Sequence, residues 1–277
     1  SSTLTASKKF KDTLTGRKTQ IWVTPMIQKD VSGFNHPSME YRLLRGGLPP
    51  LFLGKNIPEK DFQEWVDSYW AKDIEELFRL EMKHPFQRLF ELIIIQSGGI
   101  FEATKLARNC EISRTTVLNY MSILESTFVA HMIRPFSLRK ETEIVAAPKV
   151  YTFDTGFVCY YRGWNELRGT DMGILWEHFV LNEIQAQLQT RDIRYWRDKQ
   201  GHEVDFVYIK KGHAPVAIEC KWSASDFNEK NIMAFRKIHS QGKNYVVSQN
   251  VNRDYHQKID GNEIIFCNLN SLIEKFI

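Results

Sequence analysis

The chain lacks a nucleotide-binding P-loop. The nearest lookalike to GxxxxGK[ST] is Gly54-Lys55, but Pro49 stands where the first glycine belongs and Asn56 where Ser or Thr belongs. Phosphate cradling of that kind is excluded, and neither nucleotide binding nor ATP hydrolysis is expected. Cysteine is scarce: Cys110, Cys159, Cys220 and Cys267 form no CxxC pair. That argues against a disulfide framework and a zinc site, and for a reducing compartment. Apolar runs such as Leu92 to Ile95, with Phe90 nearby, fall far short of a membrane span. No signal-peptide pattern, internal repeat or low-complexity tract is present, so a cytoplasmic location without a membrane partner is expected. Neither sign of charge dominates. A net charge of +4 permits nucleic acid as a partner without requiring it.

What is present is ample hydrophobic material, 43% of 277 residues, enough for two domains or one large one. The most informative stretch is Gly201-His202-Glu203-Val204-Asp205-Phe206 followed by Ile218-Glu219-Cys220-Lys221-Trp222. It reads as a β-hairpin whose turn is centred near Gly212, with Asp205 and Glu219 equally far from that centre and hence opposite each other. Side chains alternate along a strand, so Lys221 shares the face of Glu219, while Val204, Phe206, Val216, Ile218 and Cys220 form the core side. Two facing carboxylates repel by about 3 kcal/mol at roughly 5 Å and an effective dielectric of about 20. A divalent cation reverses that sign, and Mg²⁺ takes a few carboxylate oxygens plus water and phosphate oxygens. A lysine two residues along would hold a phosphate or orient a water, which is the logic of metal-assisted phosphodiester hydrolysis. The plainer reading is a solvated hairpin face, although Val207, Ile209 and Ala217 share it.

The chain opens abruptly, with a Ser/Thr/Lys-rich stretch and then a strand-like Ile21-Trp22-Val23. Leu43 to Pro50 reads as a loop from its glycines and prolines, and Pro58 to Leu80 as a helix with an aromatic core stripe. Phe86 to Gln96 and Thr104 to Asn109 read as helices. Ser113 then caps a helix from Arg114 to Glu125 with Val117, Tyr120, Met121 and Leu124 inward. With strand-like Val129 to Phe136 and a wing tip at Arg139-Lys140 before Ile144-Val145, this is the pattern of a winged helix-turn-helix. Arg114, Arg139 and Lys140 are its candidate nucleic-acid contacts. The alternative is a spacer that touches only protein. Gly173 to Gln189 reads as a helix with Ile174, Val180, Leu181, Ile184 and Leu188 on one face and Glu177 at its centre. A carboxylate there needs a partner, which favours a functional Glu177 over its competitor Glu183. The order from Gly173 is α-β-β-β-α-β, the later elements being Phe227 to Ser240, Asn244 to Ser248, Glu263 to Cys267 and a closing helix from Ser271.

With Glu177 on the first helix, Asp205 on one hairpin strand and Glu219-Cys220-Lys221 on the next, this order resembles the PD-(D/E)xK, or restriction-endonuclease-like, superfamily. The whole chain is similar to the C-terminal part of a prokaryotic AAA-type ATPase family that carries a winged helix and a nuclease-like C-terminal domain of unknown function. The matching pieces are Leu14-Thr15-Gly16-Arg17, Gly46-Gly47-Leu48-Pro49, Tyr151 to Gly156, Trp176-Glu177, Trp196-Arg197, Glu203 to Phe206 and Ile218 to Lys221. The resemblance implies a mixed α/β chain: an ATPase-lid remnant at 1–80, a winged helix-turn-helix at 81–150 and a nuclease-like core at 151–277. It implies Mg²⁺, or Mn²⁺ in its place, held by Glu177, Asp205 and Glu219 with the Cys220 carbonyl. Lys221 would act on water or phosphate, and Arg197 would clamp a neighbouring phosphate. The expected partner is nucleic acid, DNA in the first instance, with an absent ATPase part or self-association as further partners. The competing expectation is a DNA-binding, regulatory or assembly module with an inactive core.

Overall fold

The computed structural model describes residues 21–34, 38–54, 59–75, 78, 83–138, 147–210 and 212–276. The expectations for Ser1 to Lys18, the Leu14 to Arg17 match, the wing residues Arg139 and Lys140 and the strand at Ile144-Val145 lie outside these residues. The described part is mixed α/β and packs as two units. One comprises Ser1–Met132 with Val150–Leu167, the other Ile133–Lys149 with Arg168–Ile277. Packing thus groups the expected 1–80 and most of the 81–150 segment into one unit, together with 150–167. Among the described residues no helix is long and apolar enough to cross a membrane.

The first unit is mostly helical: α1 (Gln28–Val31), α2 (Met39–Arg45), α3 (Pro49–Leu53), α4 (Glu59–Tyr69), α5 (Lys83–Ile95), α6 (Ala103–Cys110), α7 (Arg114–Ser126), the strands β1 (Ala130–Ile133) and β2 (Lys149–Thr152), whose end residues Ile133 and Lys149 count with the second unit, and α8 (Thr155–Tyr161). Two readings are corrected here. Ile21-Trp22-Val23 forms no strand, and Ile21 and Val23 are 74% and 97% exposed. The glycine- and proline-rich stretch is not a plain loop but two short helices around a tight turn. The Ser38 hydroxyl caps α2 by accepting from the Tyr41 N–H, and Gly46 ends it at φ +76°. Pro49 starts α3 at a position where its missing N–H costs nothing. Gly46 is also required sterically, because a Cβ there would lie 1.9 Å from Asp154 Oδ1.

The aromatic stripe expected from Pro58 onward is buried at Phe62, Val66, Tyr69, Trp70 and Ile74. After α4, Trp70–Glu75 winds as a π-helix rather than continuing α. Trp65 stacks on Phe153 at 5.1 Å, and Trp70 meets Phe86 at 5.5 Å. The Ser113 cap of α7 is present, its hydroxyl accepting from Thr116 N–H. The four expected apolar residues of α7 are buried, and Arg114, Thr115, Asn119 and Ser122 are exposed. The strand expected from Val129 to Phe136 is regular only over Ala130–Ile133.

The second unit is a six-stranded mixed sheet with helices. Its elements are α9 (Gly169–Leu188), β3 (Ile193–Arg197), β4 (Glu203–Tyr208), β5 (Val216–Lys221), α10 (Lys230–Ile238), β6 (Asn244–Ser248), β7 (Tyr255–Ile259), β8 (Asn262–Cys267) and α11 (Leu269–Glu274). The strand order is β3-β4-β5-β6-β8-β7. Strands β3, β4 and β5 pair antiparallel, β5, β6 and β8 run parallel, and β7 returns antiparallel on β8. α10 makes the crossover that two parallel neighbours, β5 and β6, require. It begins three residues later than Phe227, after a 3-10 turn at Ala224–Asp226.

Two features of this unit depart from the sequence pattern. Val207 and Ala217 are as fully buried as Phe206 and Ile218, so the hairpin has no solvated face. α9 is not amphipathic about a single stripe: Ile174 is 43% exposed, while Leu175, Trp176, Phe179, Val180 and Ile184 are buried. The crossover is tied by the buried Arg236. Its guanidinium donates to Asn244 Oδ1 (2.6 Å) and to the carbonyls of His239 (3.1 Å), Gln241 (2.5 Å), Pro215 (3.0 Å) and Lys243 (2.7 Å).

Candidate active site

The hairpin register pairs Phe206 with Ile218, Val207 with Ala217 and Tyr208 with Val216. Continuing it by one residue sets Asp205 opposite Glu219. Both are buried, Glu219 completely. Asp205 Oδ2 accepts the Cys220 backbone N–H at 2.7 Å, which fixes the carboxylate over β5. The Lys221 ammonium bridges the pair, 2.6 Å from Glu219 Oε2 and 3.4 Å from Asp205 Oδ2. The other oxygen, Glu219 Oε1, is buried with no hydrogen-bond partner. An unsatisfied buried carboxylate oxygen costs on the order of 1–3 kcal/mol or more, so its retention needs a reason.

A second ammonium enters from the start of β2. Lys149, itself buried, lies 3.2 Å from Glu177 Oε1 on α9 and 2.5 Å from Glu203 Oε1 on β4. It also stands 5.6 Å from the centre of the Tyr195 ring, and the Tyr195 hydroxyl donates to the Ala147 carbonyl at 2.7 Å. That bond pins the segment that delivers the lysine. The two groups of charges act on each other, since Asp205 contributes to the field at Lys149 and Glu177 to the field at Glu219. Arg197 stands at the rim, half exposed, 3.9 Å from Glu203 Oε2. Thus Glu177, Asp205, Glu219 and Lys221 belong to one charged cluster with Arg197 at its edge. Arg114 is exposed at the start of α7 in the other unit.

Burial and the adjacent Asp205 push the Glu219 carboxyl up to about 8. Burial would lower both lysines, but the surrounding carboxylates outweigh it and hold Lys149 and Lys221 above the ordinary lysine value. Burial drives the Cys220 thiol well above its usual range, so that sulfur is no nucleophile. Sequence reasoning assigned no role to Lys149 or Glu203, nor did it see that the competitor Glu183 is bound up elsewhere, accepting from Gln187 Nε2 at 2.8 Å. The partner that Glu177 must have was the available signal for Lys149, but nothing local in the sequence names a lysine 28 residues upstream.

The donor set, carboxylate oxygens with an orphaned one at its centre, fits a hard divalent cation in chemical type. As the side chains stand, no group of three or more His, Cys, Asp or Glu among the described residues is spaced to hold a metal ion. The ammonium of Lys221 bridges the two hairpin carboxylates, one positive charge shared by the pair.

Comparison with known proteins divides the chain near the same place as its packing. Residues 36–168 match the model of a domain of unknown function, DUF8612. Residues 172–269 match another, DUF4143, found in AAA-ATPase-associated proteins. Uncharacterised proteins of Mycobacterium bovis (Mb2031c) and Mycobacterium tuberculosis (Rv2008c) are each 28% identical over 219 residues, covering 76% of this chain and 48% of their own. The chain thus spans about half the length of the curated relatives it matches. Among solved structures, a chain of the Thermococcus gammatolerans McrB AAA+ assembly with bound McrC aligns at 14% identity. That alignment covers 65% of this chain and 46% of the other with a TM-score of 0.26, too low to show a common fold.

Proposed function

We propose that the second unit is a Mg²⁺-dependent nuclease-like domain of restriction-endonuclease-like fold, acting on nucleic-acid phosphodiester bonds. The observation that carries the reading is Glu219 Oε1: a buried carboxylate oxygen without a partner, beside a second carboxylate and a lysine. Asp205 and Glu219, with Glu177 on the neighbouring helix, would hold the cation. When bound, Mg²⁺ supplies Lewis-acid stabilisation of charge developing on the phosphate. Lys221 then exchanges a carboxylate partner for a phosphate oxygen or for the attacking water, which it orients. Arg197, already at the rim and half in solvent, takes a neighbouring phosphate. In the first unit, α6 and α7 would supply the two helices of a winged helix-turn-helix and β1 a strand of its wing, with Arg114 at the nucleic-acid surface. An ATPase part, or a second copy, would complete an assembly.

A second reading, a nucleic-acid-binding or assembly module with an inactive core, is favoured by one observation. Lys221 already forms ion pairs with both hairpin carboxylates. Calorimetric titration with Mn²⁺, together with a cleavage assay, separates the two. The nuclease reading expects binding that Asp205→Ala abolishes, and cleavage that Lys221→Ala abolishes while sparing the metal. Salt-dependent DNA binding with no metal-dependent cleavage selects the inactive module.

A further inference from the structure

Strand register fixes which side chains surround Glu219 and Lys221. β5 and β6 run parallel, with Ala217 beside Asn244, Glu219 beside Val246 and Lys221 beside Ser248. Neighbours across a sheet point to the same side, so these six side chains share one face. It is the face under α10: Arg236 of that helix donates to Asn244 Oδ1, and Val246 clusters with Phe266 and with Met233 of the same helix.

The polar groups on this face are not equally provided for. Asn244 is satisfied at both ends, its Nδ2 donating to the Glu263 carbonyl at 2.9 Å. Ser248 is fully buried, and its hydroxyl has no hydrogen-bond partner in the protein. The same holds for Glu219 Oε1, one strand over. Each of the two carries a desolvation cost that nothing in the chain offsets. They do not reach each other. Residues one pair apart on neighbouring strands lie roughly 7–8 Å apart at the backbone, a span that the two side chains and one water complete. The occupant must also suit Glu219 in either protonation state. Burial pushes that carboxyl up to about 8, so Oε1 alternates near neutral pH between an O–H that must donate and an oxygen that must accept. Water meets both demands, whereas a cation meets only the second.

We propose that one ordered water bridges Ser248 Oγ and Glu219 Oε1 within reach of the Lys221 ammonium, and that Ser248 is the positioning residue that holds it there. The use of this water as a nucleophile rests on the nuclease reading; its presence does not. A hydroxyl on β6 gives the water a second anchor, so that it keeps its place when Lys221 changes partners.

A crystal structure of the intact wild-type chain in chelator, at a resolution that shows ordered water, is the first test. One water is expected within roughly 3.2 Å of both Ser248 Oγ and Glu219 Oε1. A dry gap, or a Ser248 hydroxyl turned to donate to a protein carbonyl, overturns the inference. Ser248→Ala should lose that water and melt below the wild type. A higher melting temperature also overturns it, because relief of a hydroxyl with no partner at all would have that effect. In a cleavage assay Ser248→Ala should lower kcat by about tenfold or more and leave KM unchanged. An unchanged kcat overturns the positioning role. Absence of cleavage by the wild type refutes the nuclease reading, while the crystal and melting readouts still decide the water site. If Ser248→Ala does not fold, the wild-type crystal alone decides it.

Discussion

Two buried carboxylates, one in each unit, show what separates a fully satisfied buried charge from a partly satisfied one. Asp154 and Glu219 are 1% and 0% exposed. Asp154 has both oxygens satisfied by backbone: Oδ2 accepts the Gly47 N–H at 2.6 Å and Oδ1 the Gly156 N–H at 2.8 Å. Burial still raises its affinity for a proton, opposed by the charge of Arg42 and by those N–H groups. Every oxygen has its donor, so the group is a clamp joining the α2–α3 turn to the start of α8. Glu219 is held on one oxygen by a movable lysine and left open on the other. A closed polar network contributes to stability, whereas an open one carries the cost of its unpaired member.

The largest effect should come from breaking the clamp. Asp154→Ala removes the acceptor of two backbone N–H groups and a negative charge that faces Arg42. A loss of about 3 kcal/mol or more is expected in urea unfolding. A loss under about 1 kcal/mol would show that the Gly46-Gly47 turn holds itself. The next largest is a pH effect on Glu219. Its folded-state pKa of about 8 lies above the ordinary 4.5, so the unfolded chain gives up this proton first as pH rises. Its contribution to metal-free stability is complete below about pH 4.5 and is lost as pH climbs through 8. Glu219→Gln should remove that slope and stabilise the chain at pH 8 by an amount on the order of a few kcal/mol. Parallel pH profiles for the two proteins in the presence of a chelator would refute it. The smallest is Arg114→Ala, an exposed residue, expected to change stability by less than about 0.5 kcal/mol. If α7 contacts DNA, the same change lowers affinity across sequences and reduces the salt slope by roughly one. An unchanged slope excludes Arg114 from the interface.

The comparison also explains which parts of the molecule were legible beforehand. Glu219 and Asp205 announce themselves through hairpin symmetry, because a period of two and a glycine turn fix which residues face each other. Helix α7 is equally legible, its Ser113 cap and its apolar spacing both being local. Lys149 was invisible, because its partners Glu177 and Glu203 lie far along the chain and only the tertiary fold brings them together. Strand β7 was missed for the opposite reason. Tyr255 to Lys258 are exposed at a sheet edge, so the segment carries no burial pattern to detect. The helices around Gly46-Gly47-Leu48-Pro49 were mistaken for loop because Gly and Pro punctuate helix ends as readily as loops.

The Arg236 knot sets a rule for altering this protein. One guanidinium gathers carbonyls from Pro215, His239, Gln241 and Lys243, and a Cβ at Gly242 would come within 2.1 Å of the Pro215 oxygen. The link from α10 to β6 therefore has a set length, and a residue inserted or a side chain added there would draw β5 and β6 out of step, carrying Glu219 and Lys221 with them. The Asp260-Gly261 turn joining β7 to β8 carries no such knot and has open space around Gly261. Tags, labels or grafted loops belong at that corner, where the strands carrying Glu219 and Lys221 would not feel them.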